Sequence, residues 1–425
     1  MKLLSRNDNS SSVGQNCHIY FTRGLQRRLK QLAEHFPAVA VSGARQTGKT
    51  TLLRHCFPDH EYVSLDLPSK AEQAEVNPSD FLTEYPGPVI IDEVQYAPGL
   101  LRHLKTRIDQ DRHANGRFLL TGSQLFPLMK GVSESLAGRI GLLDLETHSV
   151  SELPQEHHRS GAGGWLRLMA RGQYPELWRV PDLPSREFYA SYVATYLERD
   201  VRQILNVTSL RDFERFLRIL AAHSGSVLNK SDVARDVGVS VKAIGDWIGV
   251  LQTSGQIVLL EPWFTNISKR VVKTPKVYLS DSGLLCYLLN LTAGSLPSSP
   301  LLGAVWETFV FSELRKRISF QETPADIWFY RDQRSREIDF VLDRGGALSF
   351  VEVKWREQLG RDDAKTITAL TRELAESDSP WRSGHHYVLG TPPDAYDLTP
   401  GVTAIGLEQL DRVLGGSAGT AGGIG

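Results

Sequence analysis

The stretch GARQTGKTT, Gly43 to Thr51, gathers the residue types needed to hold a polyphosphate. It fits the spacing GxxxxGK[ST] and lies between an apolar run, AVAVS, and a helix-like segment, TTLLRHC, the context that spacing requires. Gly43 and Gly48 permit backbone angles that a side chain would block. Successive N–H groups along Gly43, Ala44, Arg45, Gln46, Thr47, Gly48, Lys49, Thr50 and Thr51 can therefore point at phosphate oxygens. Lys49 adds a compact cation for the β and γ phosphates, and Thr50 a hydroxyl for Mg2+. A second stretch, PVIIDEV at 88–94, is an apolar strand ending in two acids, at the sheet edge where open α/β folds bind ligands. Asp92 there suits Mg2+, and Glu93 suits orienting or deprotonating an attacking water. A third, RFLLTGS at 117–123, ends in Thr121 and Ser123, either of whose hydroxyls could contact the γ-phosphate or that water. In SLAGRI, Arg139 is a candidate for stabilising charge on the transferring phosphoryl group, from its own chain or from a neighbouring copy.

A second group of acids lies near the C-terminus, in REIDFVLDRGGALSFVEVKW, 336–355. Apolar and polar residues alternate on both sides of Gly345-Gly346, which reads as two strands and a hairpin turn. Centred on that turn, Asp339 faces Glu352, Val341 faces Phe350 and Glu337 faces Lys354. Ile338, Phe340, Leu342, Val351, Val353 and Trp355 share the other, apolar face. Carboxylates so placed have Cβ atoms roughly 5 Å apart and repel, so either water screens them or a cation sits between them. Glu307, in GAVWETFVFSEL, has Val310, Phe311 and Leu314 at i+3, i+4 and i+7. That acid leans toward an apolar face, an expensive position unless it is paired or metal-bound. Asp339 and Glu352 as oxygen ligands for Mg2+, with Lys354 beside them, are what phosphodiester hydrolysis asks for. The alternative is a ribbon with one wet face and a Glu337–Lys354 ion pair.

These residues need elements to position them. Residues 38–150 alternate short aliphatic runs with helix-like segments, the mark of a parallel sheet with crossover helices. Residues 165–222 read as mostly helical, REFYASYVATYLERDVRQIL among them. NKSDVARDVGVSVKAIGDWIGVLQTSGQIVLLEPW, 229–263, has helix–turn–helix grammar: Ser231 and Ser240 as caps, Gly238 at the turn, and GQIVLLEPW as a wing strand. GSLPSSP, 294–300, reads as a linker, and residues 301–410 return to mixed helix and strand. The expected divisions are a disordered tail (1–18), a nucleotide-binding core (19–155), a helical lid (156–222), a winged-helix segment (223–293), a C-terminal α/β domain (301–410) and a flexible tail (411–425).

Composition narrows the classes. The chain has 425 residues, 41% hydrophobic and 23% charged, with 48 Lys and Arg against 49 Asp and Glu. That balance excludes a uniformly basic nucleic-acid glove, so any nucleic-acid contact must be local. Three scattered cysteines, Cys17, Cys56 and Cys286, suggest reduced thiols in a cytoplasm. No segment approaches the roughly 20 apolar residues of a membrane span, and no signal peptide is expected.

Taken in order, GARQTGKTTLL, PVIIDEVQ, LLTGSQ and SLAGRI resemble the prokaryotic AAA-type P-loop ATPases. RGQYPEL (171–177), the helix around YLERDV and YLSDSGLL (278–285) are similar to that family's C-terminal region. The resemblance implies ATP and Mg2+ as ligands and assigns Lys49, Thr50, Asp92 and Glu93 the roles above. The order Glu307, Asp339, then Glu352-x-Lys354 resembles the PD-(D/E)xK core of restriction-endonuclease-like domains, with Ile338 where the fuller motif has proline. The expected fold class is thus α/β: an AAA-type parallel sheet with a helical lid, a winged helix, and a mixed restriction-endonuclease-like domain.

Three functions follow. The first is an ATPase that drives conformational change on a nucleic-acid or protein partner. The second is an ATP-regulated DNA nuclease, and the third a slow nucleotide-dependent switch that docks a protein through the winged helix. DNA is a possible partner, but the would-be recognition helix offers only Lys242 and Ser240 outward, with Asp246 repelling phosphate. Arg211, Arg215 and Arg218 line a helical face nearby. A homo-oligomer would allow Arg139 to act between copies.

Overall fold

The computed structural model describes residues 20–122, 136–154, 161–196, 210–263, 273–377 and 380–415. The first unit begins with α1 (Gln26–His35) and β1 (Ala38–Ser42), followed by α2 (Lys49–Cys56), β2 (Glu61–Ser64), α3 (Pro68–Val76) and α4 (Pro78–Glu84). It continues with β3 (Val89–Asp92), α5 (Leu100–Gln110), β4 (Phe118–Gly122) and β5 (Ile140–Asp144). The five strands form one parallel sheet in the order β2-β3-β4-β1-β5. β1, β3 and β4 are buried along their whole length. Strands covered on both faces read as continuous apolar runs, as AVAVS, VIID and FLLTG do. The helices bury one stripe each, such as Leu100, Leu101, Leu104 and Ile108 of α5.

A helical layer follows, with α6 (Ala162–Arg171), α7 (Pro175–Arg179) and α8 (Ser185–Tyr196). The remainder of the YLERDV stretch falls outside the described residues. A compact unit then runs α9 (Leu210–Ala222), β6 (Ser226–Val227), α10 (Lys230–Val237), α11 (Val241–Thr253), β7 (Ile257–Leu260) and β8 (Lys276–Leu279), its strands forming an antiparallel sheet β6-β8-β7. Asn229, not Ser231, caps α10, because its Oδ1 accepts from the Ser231 and Asp232 amides. Ser240 caps α11, and Gly238 makes the turn at φ 87°. α12 (Ser282–Leu288) packs on α6 and α8. At that junction Gly172 and Gly283 touch backbone to backbone. A Cβ on Gly172 would lie 3.0 Å from the Gly283 Cα. Asp281 closes the junction by accepting from the Gln173 amide at 2.8 Å and from the Tyr189 hydroxyl at 2.6 Å. The stretches RGQYPEL and YLSDSGLL are the two sides of this one joint.

GSLPSSP is not an open linker. Leu296 is fully buried at the start of a short 3-10 turn, which anchors the segment to the core. The C-terminal unit consists of α13 (Leu302–Phe320), β9 (Asp326–Arg331), β10 (Glu337–Arg344), β11 (Ala347–Val353), α14 (Lys365–Glu376), β12 (Arg382–Ser383), β13 (His386–Gly390), β14 (Tyr396–Thr399) and β15 (Val402–Gly406). Its mixed sheet has the order β14-β15-β13-β11-β10-β9, with β12 beside β11. Gly345 and Gly346 both adopt positive φ, 58° and 87°, the backbone of a two-residue hairpin turn. The β10–β11 register pairs Val341 with Phe350, as the alternation predicts.

Both faces of this sheet are covered. Phe340, Leu342, Val351 and Val353 join the core under α13, while Val341 and Phe350 join a second core under α14. Ile338 was expected beside Phe340 but lies in the second core. The β9–β10 register shifts between Ile338 and Val341, and such an irregularity re-aims side chains. Cys56 and Cys286 are free thiols, and Cys17 lies outside the described residues. No described helix is long and apolar enough to cross a membrane.

Candidate functional site: the loop Gly43–Thr51 and the C-terminal acid cluster

The loop leaves the C-terminal end of β1, which lies between β4 and β5, and closes at the N-terminus of α2. Gly43 (φ 140°), Gln46 (φ 62°) and Gly48 (φ 91°) all hold positive φ, so the chain curls instead of continuing as strand or helix. A side chain at Gly43 would strike the Leu145 carbonyl, which sits against it just after β5. The Thr47 hydroxyl donates to the Ala44 carbonyl at 2.9 Å and tightens the curl. Lys49 turns inward and donates to the carbonyls of Gly43 (3.0 Å) and Ala44 (2.9 Å). Burial holds its pKa below the ordinary lysine value, opposed by the nearby charges of Glu93 and Asp92, with Arg45 adding to the depression.

Asp92, at the end of β3, is the hub of the acidic side. It accepts from the Thr50 hydroxyl at 2.7 Å, from the Tyr62 hydroxyl at 2.9 Å and from the Thr121 hydroxyl. The Thr50 hydroxyl and the Asp92 carboxylate therefore present adjacent oxygen donors, the set a hard divalent ion such as Mg2+ takes. These residues fit that ion. Glu93 follows in the left-handed region at φ 58°, with its amide donating to Thr121 Oγ1 at 3.0 Å and its carboxylate accepting from Gln95. A non-glycine residue held there is unusual and typical of a functional turn. A cavity of about 310 Å3 opens beside the curl, lined by Tyr20, Gln46, Gly48, Thr51, His148 and Pro175 among others.

Two predicted residues are not brought to the loop. Arg139 immediately precedes β5, and Ile140 pairs with Ala38, the start of β1, so it lies at the opposite end of the sheet from Lys49. It makes a bidentate pair with Asp109 of α5 at 2.7 and 3.0 Å. Its own chain thus gives it no access to the phosphates. Ser123 lies outside the described residues.

Sequence reasoning missed Arg23 and Tyr62. Arg23 is buried behind the loop and donates to the carbonyls of Thr47 (2.8 Å) and Glu146 (2.7 Å) while pairing with Glu152 at 3.1 Å. Burial raises the Glu152 pKa, but Arg23 and His148 outweigh it and bring the carboxyl down to about 2. TRGL carries no signal for this role. Tyr62, in EYVS, had only its position on a strand beside PVIID to betray it.

In the C-terminal unit Asp339 and Glu352 are 7% and 6% exposed, so water does not screen them and the wet-face reading fails. Cations do. Lys276, the first residue of β8 and almost fully buried, pairs with Glu307 at 3.0 Å, with Glu337 at 2.5 Å and with Asp339 at 3.7 Å. Lys354 pairs with Glu352 at 2.9 Å, not with Glu337. The Tyr278 hydroxyl donates to Glu307 at 2.6 Å, and the Val353 amide to Asp339 at 2.8 Å. The structure thus brings Glu307, Asp339, Glu352 and Lys354 together and adds a lysine from a different unit. Burial first, and then the Asp339 charge, raise Glu307 to about 7 and Glu352 to about 8, against the pull of Lys276 and Lys354 respectively. Burial works against the Lys276 ammonium, but Glu307, Asp339 and Glu337 outweigh it and hold its pKa above the ordinary value. Among the described residues no group of three or more His, Cys, Asp or Glu side chains could hold a metal ion. Internal ammonium groups thus stand against the two carboxylates of the expected Asp339–Glu352 metal site. The signal for Lys276 was a charged residue opening the apolar strand KVYL.

Comparison with known proteins matches three successive segments, and the helical layer and the compact unit after it fall in one of them. Residues 35–154 match the model of an AAA domain. The nucleotide-loop unit is of the AAA type. Residues 163–295 and 302–410 match two domains of unknown function, DUF8612 and DUF4143. The uncharacterized proteins Rv2008c of Mycobacterium tuberculosis and Mb2031c of Mycobacterium bovis are each 29% identical over 342 residues, which span 80% of this chain and 75% of theirs. Among solved structures, the Walker-type ATPase paby2304 of Pyrococcus abyssi is 15% identical, covering 63% of this chain and 96% of its own, with a TM-score of 0.44. The Thermotoga maritima RuvB Holliday junction branch migration motor is 16% identical over 55% of this chain and 88% of its own, with a TM-score of 0.30.

Proposed function

We propose that the chain is a Mg2+-dependent ATPase that uses ATP hydrolysis to change the conformation of its own domains and, through them, of a nucleic-acid or protein partner. The observation that carries this reading is the 2.7 Å contact of Thr50 with Asp92 beside the inward Lys49, at the start of α2 and the end of β3. The amides of Gly43 to Thr51 bind the phosphates, aided by the positive end of the α2 dipole. Lys49 leaves the Gly43 and Ala44 carbonyls for the β and γ phosphates, where its charge stabilises the transferring group. Thr50 and Asp92 would hold Mg2+, which would supply charge neutralisation at the phosphates. Glu93 takes the proton of the attacking water, and Thr121 fixes both Asp92 and the Glu93 backbone.

The partner would dock on the unit α9–β8. Its order of helix, strand, two helices and two strands is that of a winged helix, which supports a docking role. Its exposed α11 surface, with Lys242 beside Asp246, favours no nucleic acid. The nuclease alternative is not adopted, because the C-terminal carboxylates are already answered by Lys276 and Lys354.

Two measurements test the ATPase reading. Calorimetry should show MgATP binding to the full chain. Glu93→Gln should then lower the steady-state hydrolysis rate about 100-fold or more while leaving ATP affinity nearly intact, the size of a lost general base. Undiminished turnover by that variant removes Glu93 from the chemistry, and no ATP binding by the unaltered chain removes the whole reading.

A further inference from the structure

The helix α13 touches both the acid cluster and the segment behind the nucleotide loop. At its N-terminal half Glu307 meets Lys276 and Tyr278. Two turns later Glu313, fully buried, accepts from the Ser149 hydroxyl (3.1 Å), the Val150 amide (3.1 Å) and the Gln173 side-chain amide (2.5 Å). Lys316, equally buried, donates to the His148 carbonyl and to Gln173 Oε1, both at 2.8 Å. Arg315 pairs with Glu146 at 3.2 Å. Apart from Gln173, the residues that Glu313, Arg315 and Lys316 grip outside their own helix belong to the segment 146–150, which follows closely on β5.

That segment is the floor of the nucleotide loop. Leu145 donates its amide to the Ser42 carbonyl at 2.8 Å, and its own carbonyl abuts Gly43 so closely that a Cβ there would collide. Glu146 and Thr47 offer their carbonyls to the same guanidinium, that of Arg23. The path from loop to acid cluster therefore runs Thr47, Arg23, Glu146, Arg315 and α13, with Glu313 and Lys316 as a parallel, buried strut. α13 carries no proline, and its one glycine, Gly303, precedes Glu307. The six helical rises from Glu307 to Glu313 thus make a stiff rod of about 9 Å.

We infer that α13 couples the two sites, so that filling the loop with a nucleotide resets the buried acid–lysine cluster, and disturbing the cluster changes the affinity of the loop. This rests on the reading of the loop as an ATP site. The displaced element is Lys49: to reach a triphosphate it must release the Gly43 and Ala44 carbonyls, and Gly43 lies against the floor that α13 grips. The regulated quantity is access to Glu307, Asp339 and Glu352, which Lys276 now closes. Coupling of this kind is reciprocal, so each site reports on the other.

Hydrogen exchange on the full chain, with and without MgATP, tests it. In the unaltered protein MgATP should slow exchange in 43–56 and also change exchange in 302–320 and 337–353 by about fivefold or more, the lower range of site–site coupling. Lys316→Met should keep the change at 43–56 and lose most of it at 337–353. Arg315→Ala, whose side chain is partly exposed, is the milder variant should the first not fold, and should weaken the distant response in the same sense. A response confined to 43–56, or a full distant response in a folded variant, overturns the coupling while leaving the ATP site intact. No response anywhere, together with no ATP binding, overturns the site and the coupling with it.

Discussion

At the nucleotide loop, one lysine, one threonine and an aspartate meet beside an open cavity. At the C-terminal sheet, two lysines, a tyrosine and four carboxylates meet, with Lys276, Tyr278, Asp339 and Glu352 buried. The side chains are alike and the outcomes differ because of what else is present. At the loop the lysine sits at the start of a helix and donates to backbone carbonyls, which a phosphate could displace. The C-terminal acids find their counter-charge inside the chain. A receptor and a strut can be built from the same vocabulary, and the deciding factor is whether the charges balance before the ligand arrives.

That contrast can be broken at Lys276. Lys276→Met strands Glu307, Glu337 and Asp339 without their shared cation and should cost about 3–5 kcal/mol in chemical denaturation, the scale of a broken buried pair. Lys354→Met removes a partner that is 40% exposed and should cost no more than about 1 kcal/mol. Equal costs would mean that Lys276 is no more central than Lys354.

The acids give a subtler effect. Glu307 and Glu352 titrate in the folded chain at about 7 and about 8, against 4.5 when unfolded. Between those values the folded state binds more protons than the unfolded state, so stability should fall as pH rises from about 5 to 8. Glu352→Gln should flatten that slope. A midpoint that climbs across this range in the unaltered chain, and does not respond to the substitution, would contradict the burial of these acids as protonated groups.

The smallest effect is expected at Tyr62. Tyr62→Phe removes one of three hydroxyls from Asp92 and should raise the Mg2+ concentration for half-maximal ATPase activity several-fold, with little change in ATP affinity at saturating Mg2+. Such second partners typically matter at the tenfold level. An unchanged Mg2+ requirement would show that Thr50 and Thr121 hold the carboxylate alone.

Much of this was legible because local patterns and tertiary needs agreed. AVAVS, PVIID and FLLTGS are continuous apolar runs because their strands are covered on both faces, and the glycines of GARQTGKT stand where positive φ is required. The hairpin register followed from Gly345-Gly346 and the alternation beside it. What escaped came from segments far apart in sequence. Lys276 reaches Asp339 across more than sixty residues, and Arg23 reaches Glu152 across 129. No periodicity encodes such meetings. The wet face failed because alternation shows which residues share a side, and not that β8 and α13 later bring Lys276, Tyr278 and Glu307 against its acids. Arg139 was misplaced because a loop motif says nothing about which end of the sheet its arginine faces.

The joint between Gly172 and Gly283 has one more consequence. The two backbones touch there and Asp281 staples them, so any side chain larger than hydrogen at Gly172 or Gly283 would force the joint apart. The opening would be felt at Gln173, whose amide Asp281 holds and whose side chain holds Glu313 and Lys316.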